Sequence, residues 1–238
     1  KALGDIGPPA RAAVRSLINR IDDRQSWEIR KEVCYALGTV GRDEQLWPIP
    51  DALEALGRAV MDRDKGVRLE ALQSVILLGP PYPPVPLRVR QVLDRRLKDE
   101  RNKILSIWVR VAIMRLDESA INDANLSALS KQMLPHGTDV DTRIQAAKAL
   151  GFIGPAAKAK VPEMIDALQK SDEPGMQYQL CWSLARMGQY AEKALGPLRT
   201  LQSAAKDESV RTAAKAAVGE IEKAMKQPAQ PPNQPPKK

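Results

Sequence analysis

Histidine, cysteine and aromatic side chains are scarce in this sequence: one His, two Cys, one Phe, four Trp and four Tyr among 238 residues. The lone histidine, His136, stands in the loop Pro135-His136-Gly137-Thr138, so a Ser/His/Asp triad would have to be assembled on a loop between helices. Zinc usually takes several Cys or His ligands, and Cys34 and Cys181 lie far from His136 and from each other in the chain. A disulfide scaffold is equally unexpected, because a chain this long buries a core without staples. No run of 18 apolar residues occurs, so no helix is expected to cross a membrane. There is no P-loop, and no G-x-G-x-x-G that follows a strand. No cofactor is called for, and the chain reads as a non-enzyme.

What is plentiful points to helix. Hydrophobic residues make up 43% of the chain, with Ala and Leu abundant and β-branched runs few, a composition that favours helices packed through small side chains. Lys and Arg exceed Asp and Glu by 37 to 29, a net charge of +8, which permits attraction to nucleic acid or another anionic surface. The last twelve residues, 227–238 (QPAQPPNQPPKK), suit neither helix nor a packed core and read as a disordered linker tail. Its Lys237 and Lys238 leave +6 (8 − 2) on residues 1–226, which read as one repeat domain.

Self-comparison finds one phrase three times: Ala2-Leu3-Gly4-Asp5-Ile6-Gly7, Ala36-Leu37-Gly38-Thr39-Val40-Gly41 and Ala149-Leu150-Gly151-Phe152-Ile153-Gly154. Weaker copies end at Gly79, Asp117, Gly188 and Glu222, so successive end points are 34, 38, 38, 37, 34 and 34 residues apart. That period belongs to a solenoid of helix pairs, here six to seven copies. Eleven residues before the end point stand Arg30, Arg68, Arg143 and Arg211, and four before those stand Ser26, Asp64, Asp139 and Asp207. The short polar residue is expected to cap the second helix (B) of each pair, and the closing glycine to end it in a left-handed conformation. Proline announces the first helix (A): Pro8-Pro9, Pro48 and Pro50, Pro86, Pro155 and Pro162, and Pro197. The chain opens inside a B helix, so an upstream A helix or cap is expected to cover Leu3 and Ile6.

The Asp-x-x-(Val/Ile)-Arg…Ala-Leu-Gly-x-Ile-Gly phrase resembles the HEAT-like repeats first associated with phycobilisome lyases, over roughly residues 1 to 225. The resemblance implies an all-α fold, an α-α superhelix, and a structural ladder between neighbouring repeats made by Asp64/Arg68, Asp139/Arg143 and Asp207/Arg211. Two repeats depart from it: the third lacks the register Arg and closing Gly, and the fifth has Gln177 in place of Arg. Such repeats serve unrelated roles, so function must come from side chains. The His-Glu pairs of deoxyhypusine hydroxylase, an enzyme with HEAT-like repeats, are missing. Bilin lyase or isomerase activity stays as a third reading, and nothing in the residues specifically demands a bilin.

In solenoids of this kind the B helices line the concave face. Positions nine, six and two before the end point share one helix face and differ most between copies. In the middle repeats they supply Trp108 and Arg115, Lys148 and Phe152, and Trp182 and Arg186, with Tyr178 beside the last pair. Aromatic and Arg side chains together make binding hot spots, so these seven residues are the expected site for a peptide or protein surface. A second feature is the basic third repeat, where Arg88, Arg90, Arg95, Arg96, Lys98, Arg101 and Lys103, with Arg110 and Arg115, face three acids for a net +6. It supports the rival reading, a nucleic-acid binder resembling the HEAT-like alkylpurine DNA glycosylases. No carboxylate falls among the middle aromatic rows to stabilise a sugar cation.

Overall fold

The computed structural model describes residues 2–6, 8–21, 24–45, 47–79, 87–134 and 138–226; His136, Pro86 and the tail 227–238 lie outside them. Among the described residues there are helices, 3-10 segments and an isolated bridge between Arg42 and Pro48. The helices are α1 (Ala2–Ile6), α2 (Val14–Ile18), α3 (Trp27–Val40), α4 (Pro50–Ala59), α5 (Lys65–Leu78), α6 (Leu87–Asp99), α7 (Lys103–Leu116), α8 (Asp123–Met133), α9 (Val140–Ile153), α10 (Val161–Lys170), α11 (Pro174–Arg186), α12 (Leu195–Ala204) and α13 (Glu208–Lys226). They fall into two compact units, Lys1–Ile121 and Asn122–Lys238. In the N-terminal unit the B helices α1, α3, α5 and α7 pack each on the next, and α2, α4 and α6 form the A layer. In the C-terminal unit α9, α11 and α13 form the B layer and α8, α10 and α12 the A layer.

The repeated Ala-Leu-Gly has a physical cause in how closely B helices approach. A Cβ on Gly38 would lie 2.6 Å from Ser74 Oγ, and one on Gly151 would lie 2.5 Å from Ser183 Oγ and 2.7 Å from Ser183 Cα. The two serines occupy the same place in the second and fifth repeats, and their hydroxyls donate to the Cys34 and Ala147 carbonyls across the contact, each at 2.8 Å. The Ala and Leu flanking these glycines are buried. Cys34 and Cys181 sit in the same layer, fully buried.

Helix starts follow the expected caps with one exception. Asp64, Asp139 and Asp207 accept from the first-turn N–H groups of their own helices, but Ser26 makes no side-chain cap bond. Asn102, unremarked in the repeat phrase, caps α7. Gly79, Gly154 and Gly188 take positive φ as a helix stop requires, whereas Gly41 closes α3 at φ −77. Proline opens α4 at Pro50 and stands in the first turn of α10 at Pro162. Pro155 instead starts a 3-10 segment, Gly154–Lys160, and Gly188–Ala194 forms another, so these A helices are entered through a tight turn and not directly.

The register arginines Arg30, Arg68 and Arg211 bond, within and between repeats, to groups other than the cap aspartates, although the Arg211 charge helps to lower the Asp207 carboxyl. Arg68 and Arg211 donate to carbonyls of the turn before their own helix. Pairing between repeats falls instead to an acid two residues before the cap. Arg30 grips both oxygens of Asp62 at 2.7 and 2.8 Å, and Arg68 lies 3.4 Å from Glu100. Arg30 and Asp62 side chains are 1% and 5% exposed. Burial alone would raise the Asp62 carboxyl; hydrogen bonds from Arg30 and from the Asp64 N–H outweigh it and hold the carboxyl below its ordinary range. In the C-terminal unit Ser171 stands where the acid would, and Arg143 Nε has no hydrogen-bond partner among the described residues.

Candidate functional site

The C-terminal unit brings five expected binding residues to the exposed side of its B layer. Phe152 is the last residue but one of α9, and Tyr178, Trp182 and Arg186 follow one another at four-residue intervals along α11, so they share a face. Phe152, Tyr178 and Trp182 are 39, 47 and 37% exposed. Arg186 Nε donates to the Gly151 carbonyl at 2.9 Å. Its guanidinium carbon lies 5.9 Å from the Phe152 ring centre and 5.1 Å from that of Trp182. The cation is thus anchored to backbone and held between two rings, within cation–π reach of both. The close approach demanded by Gly151 and Ser183 is what brings α9 and α11 near enough for this. Lys148 is half-buried one turn before Phe152.

Beside this row a cleft of about 440 Å³ opens between α11 and α13, lined by Tyr178, Trp182 and Arg186 on one wall and Ala213, Ala216, Ala217 and Glu220 on the other. Small alanines on α13 keep the cleft open against the large rings of α11. The arrangement can receive an apolar side chain beside a fixed cation. The signal for the α13 wall was present in the sequence as the last repeat's Ala213, Ala216 and Glu220 row.

The N-terminal unit does not repeat this pattern. Trp108 is 3% exposed and Val111 2%, so Trp108 belongs to the core and leaves the expected site. The reason lies in α7 itself (KILSIWVRVAIMRL): its polar side chains Lys103, Ser106 and Arg110 share one face, and Trp108 and Val111 fall outside that face among the apolar residues of the helix. Arg115 is exposed, donates Nε–H to the Ile76 carbonyl at 3.4 Å and packs against Gly79. Arg42 donates to the neighbouring Leu77 carbonyl at 2.6 Å. Although the residue as a whole is exposed, its guanidinium loses water where it packs on Gly79 and the end of α5, and this first, then the proximity of Arg42, lowers the Arg115 pKa. Both cations cap the C-terminal end of α5, a favourable place for positive charge.

The basic repeat divides in two. Arg90 pairs with Asp94 and Asp117, and Arg96 with Glu100, so neither offers its charge outward. Arg88, Arg95, Lys98, Arg101 and Lys103 are exposed. Burial pushes the Cys34 and Cys181 thiols up to about 12, which leaves both protonated and unreactive at neutral pH. Among the described residues no group of three His, Cys, Asp or Glu side chains could hold a metal ion, and no helix is long and apolar enough to cross a membrane.

Residues 126–219 match the family model of HEAT repeats. No curated protein matches the chain. Among solved structures, an engineered protein superposes with a TM-score of 0.51 at 19% identity, over 89% of this chain and 97% of its own. A designed armadillo repeat protein in complex with the peptide (KR)4 superposes with a TM-score of 0.50 at 17% identity, over 87% of this chain and 99% of its own. Importin beta gives 0.55 at 15% identity, over 92% of this chain and 33% of its own. At such identities the likeness is one of fold: all-α, in the α-α superhelix class of HEAT and armadillo repeats.

Proposed function

We propose that the chain is a non-catalytic interaction scaffold whose C-terminal unit holds a peptide or protein surface on Lys148, Phe152, Tyr178, Trp182 and Arg186. The observation that carries this reading is the Phe152–Arg186–Trp182 stack beside the α11/α13 cleft. Arginine and large aromatics dominate binding energy at interfaces because they bury much surface at little conformational cost once fixed. Here Arg186 is already fixed by its bond to Gly151, so little ordering is left to be done on binding. The fold is one that another protein, the designed armadillo repeat, uses in its complex with a peptide.

The test is selection of a displayed random peptide library on the purified chain, followed by calorimetry of the enriched peptides. Trp182→Ala with Arg186→Ala should weaken binding by about 2 kcal/mol or more, roughly thirtyfold, with unchanged thermal unfolding. Failure to enrich any peptide, or enriched peptides that ignore the double variant, would remove this site from consideration.

A further inference from the structure

Two adjoining clefts on the A layer of the N-terminal unit are lined by arginine. One, of about 390 Å³ between α4 and α6, has Arg58, Arg88 and Arg95 on its walls. The other, of about 430 Å³ between α2 and α4, has Arg11, Arg15 and Arg58. They share Arg58 and Glu54 on α4, so five arginines from three successive A-layer segments border two adjoining depressions, against the carboxylates of Asp51 and Glu54. Arg11 is held by Glu44, and Arg95 lies 3.7 Å from Asp99. Arg15, Arg58 and Arg88 are exposed and have no ion-pair partner among the described residues. The sequence placed Arg88 and Arg95 in a single basic repeat; the fold instead joins them to cations from the two preceding repeats and neutralises Arg90 and Arg96.

We infer that this face binds nucleic acid through its phosphates. Every base on it is arginine, whose planar fork matches phosphate oxygens. The cations recur from helix to helix, about 8–10 Å per step for packed helices, which suits a polymer carrying charge at regular intervals. Between them the described floor is aliphatic, with Val14, Ile18, Ile49, Val89 and Val92, and no described lining residue is an aromatic on which a base could stack. Contact is therefore with the backbone, independent of sequence. This face is separate from the α11/α13 cleft and does not depend on it.

The probe is a fluorescein-labelled mixed-sequence duplex of about twenty base pairs, titrated with the full chain by anisotropy between about 50 and 300 mM KCl. Affinity should fall with a log–log slope of about −3 to −4, near 0.9 per phosphate neutralised. Arg58→Glu with Arg88→Glu should raise Kd at least tenfold and flatten the slope by about two. Lys206→Glu with Lys215→Glu, an equal charge change on the C-terminal unit, should leave the slope within about half a unit of the parent. Thermal unfolding controls for folding, and Arg58→Gln with Arg88→Gln replaces the charge-reversed pair should that one not fold. No binding at the lowest salt, binding indifferent to both arginine variants, or binding to polyglutamate or phosphatidylserine vesicles but not to the duplex would each overturn the inference.

Discussion

Arg115 and Arg186 hold the same place in their repeats, and both donate Nε–H to the carbonyl of the residue three before the preceding repeat's closing glycine, Ile76 before Gly79 and Gly151 before Gly154. What surrounds them differs. Arg115 shares the end of α5 with Arg42 and caps a helix. Arg186 lies between Phe152 and Trp182 above an open cleft. Register fixes where an arginine is anchored, and its neighbours decide whether the cation stabilises a helix end or faces a ligand. The two units differ likewise in their ladders: Arg30–Asp62 and the looser ion pair Arg68–Glu100 tie the N-terminal repeats, whereas at the place of the acid that would face Arg143 the chain has Ser171; the Nε atoms of Arg68 and Arg143 both lack a hydrogen bond among the described residues.

The sharpest way to break that contrast is at the ladder. Arg30→Ala strands the Asp62 carboxylate in a site 5% exposed and should cost about 3–5 kcal/mol, read by urea unfolding of the full chain. Arg143→Ala removes an arginine with no buried acid to strand and should cost under about 1 kcal/mol. Equal losses would show that the ion pair is not what distinguishes the units.

Packing gives the next largest effect. Gly151→Ala drives a Cβ into the Ser183 backbone at 2.7 Å, and Gly38→Ala meets that of Ser74 at 3.0 Å. Overpacking of this kind costs about 1–3 kcal/mol, with Gly151 the worse of the two. Gly151→Ala should also weaken peptide binding, because moving α9 from α11 displaces the carbonyl that anchors Arg186. A stability loss with unchanged peptide affinity would separate the helix contact from the site.

Acid sharpens the comparison differently. The Glu100 carboxyl is also held low: burial would raise it, but bonds from the Asn102 N–H and Arg96, with Arg68 nearby, prevail. A carboxyl with a depressed folded pKa contributes stability that is complete above its unfolded value, about 4, and lost as pH falls through the lower folded value. Asp62 and Glu100 are nearly buried in the N-terminal unit, whereas of the lowered carboxyls of the C-terminal unit Asp123 is exposed and Asp207 only half-buried. Below about pH 4, hydrogen exchange should therefore accelerate first in α3 and α5. Acceleration beginning in α9 and α11 would contradict this.

How much was legible follows from range along the chain. Asp64, Asp139 and Asp207 could be read as caps because a cap and the N–H groups it satisfies lie within a few residues. Asp62 and Glu100 each meet an arginine 32 residues away, and only that repeated spacing could have exposed them. Trp182 and Phe152 lie on an open face at the repeat positions six and two before the closing glycine, and Tyr178, off those positions but one turn before Trp182, shares that face. Trp108, nine before its own end point, failed because the polar face of α7 is the one carrying Lys103, Ser106 and Arg110, and Trp108 lies off it. The arginine depression escaped notice because its members come from three segments spread over residues 11–95.

The smallest effect tests whether glycine marks close approach at all. Gly219 lies inside α13, and a Cβ there meets nothing within 4 Å. Gly219→Ala should stabilise the chain by about 0.5–1 kcal/mol, because alanine loses less conformational freedom in a helix than glycine does. The same substitution thus carries opposite signs at Gly151 and Gly219, and the difference isolates the Ser183 contact from helix propensity. A destabilising Gly219→Ala would mean that α13 needs glycine for bending rather than for space, and the cleft wall at Ala216 and Glu220 would have to be reconsidered with it.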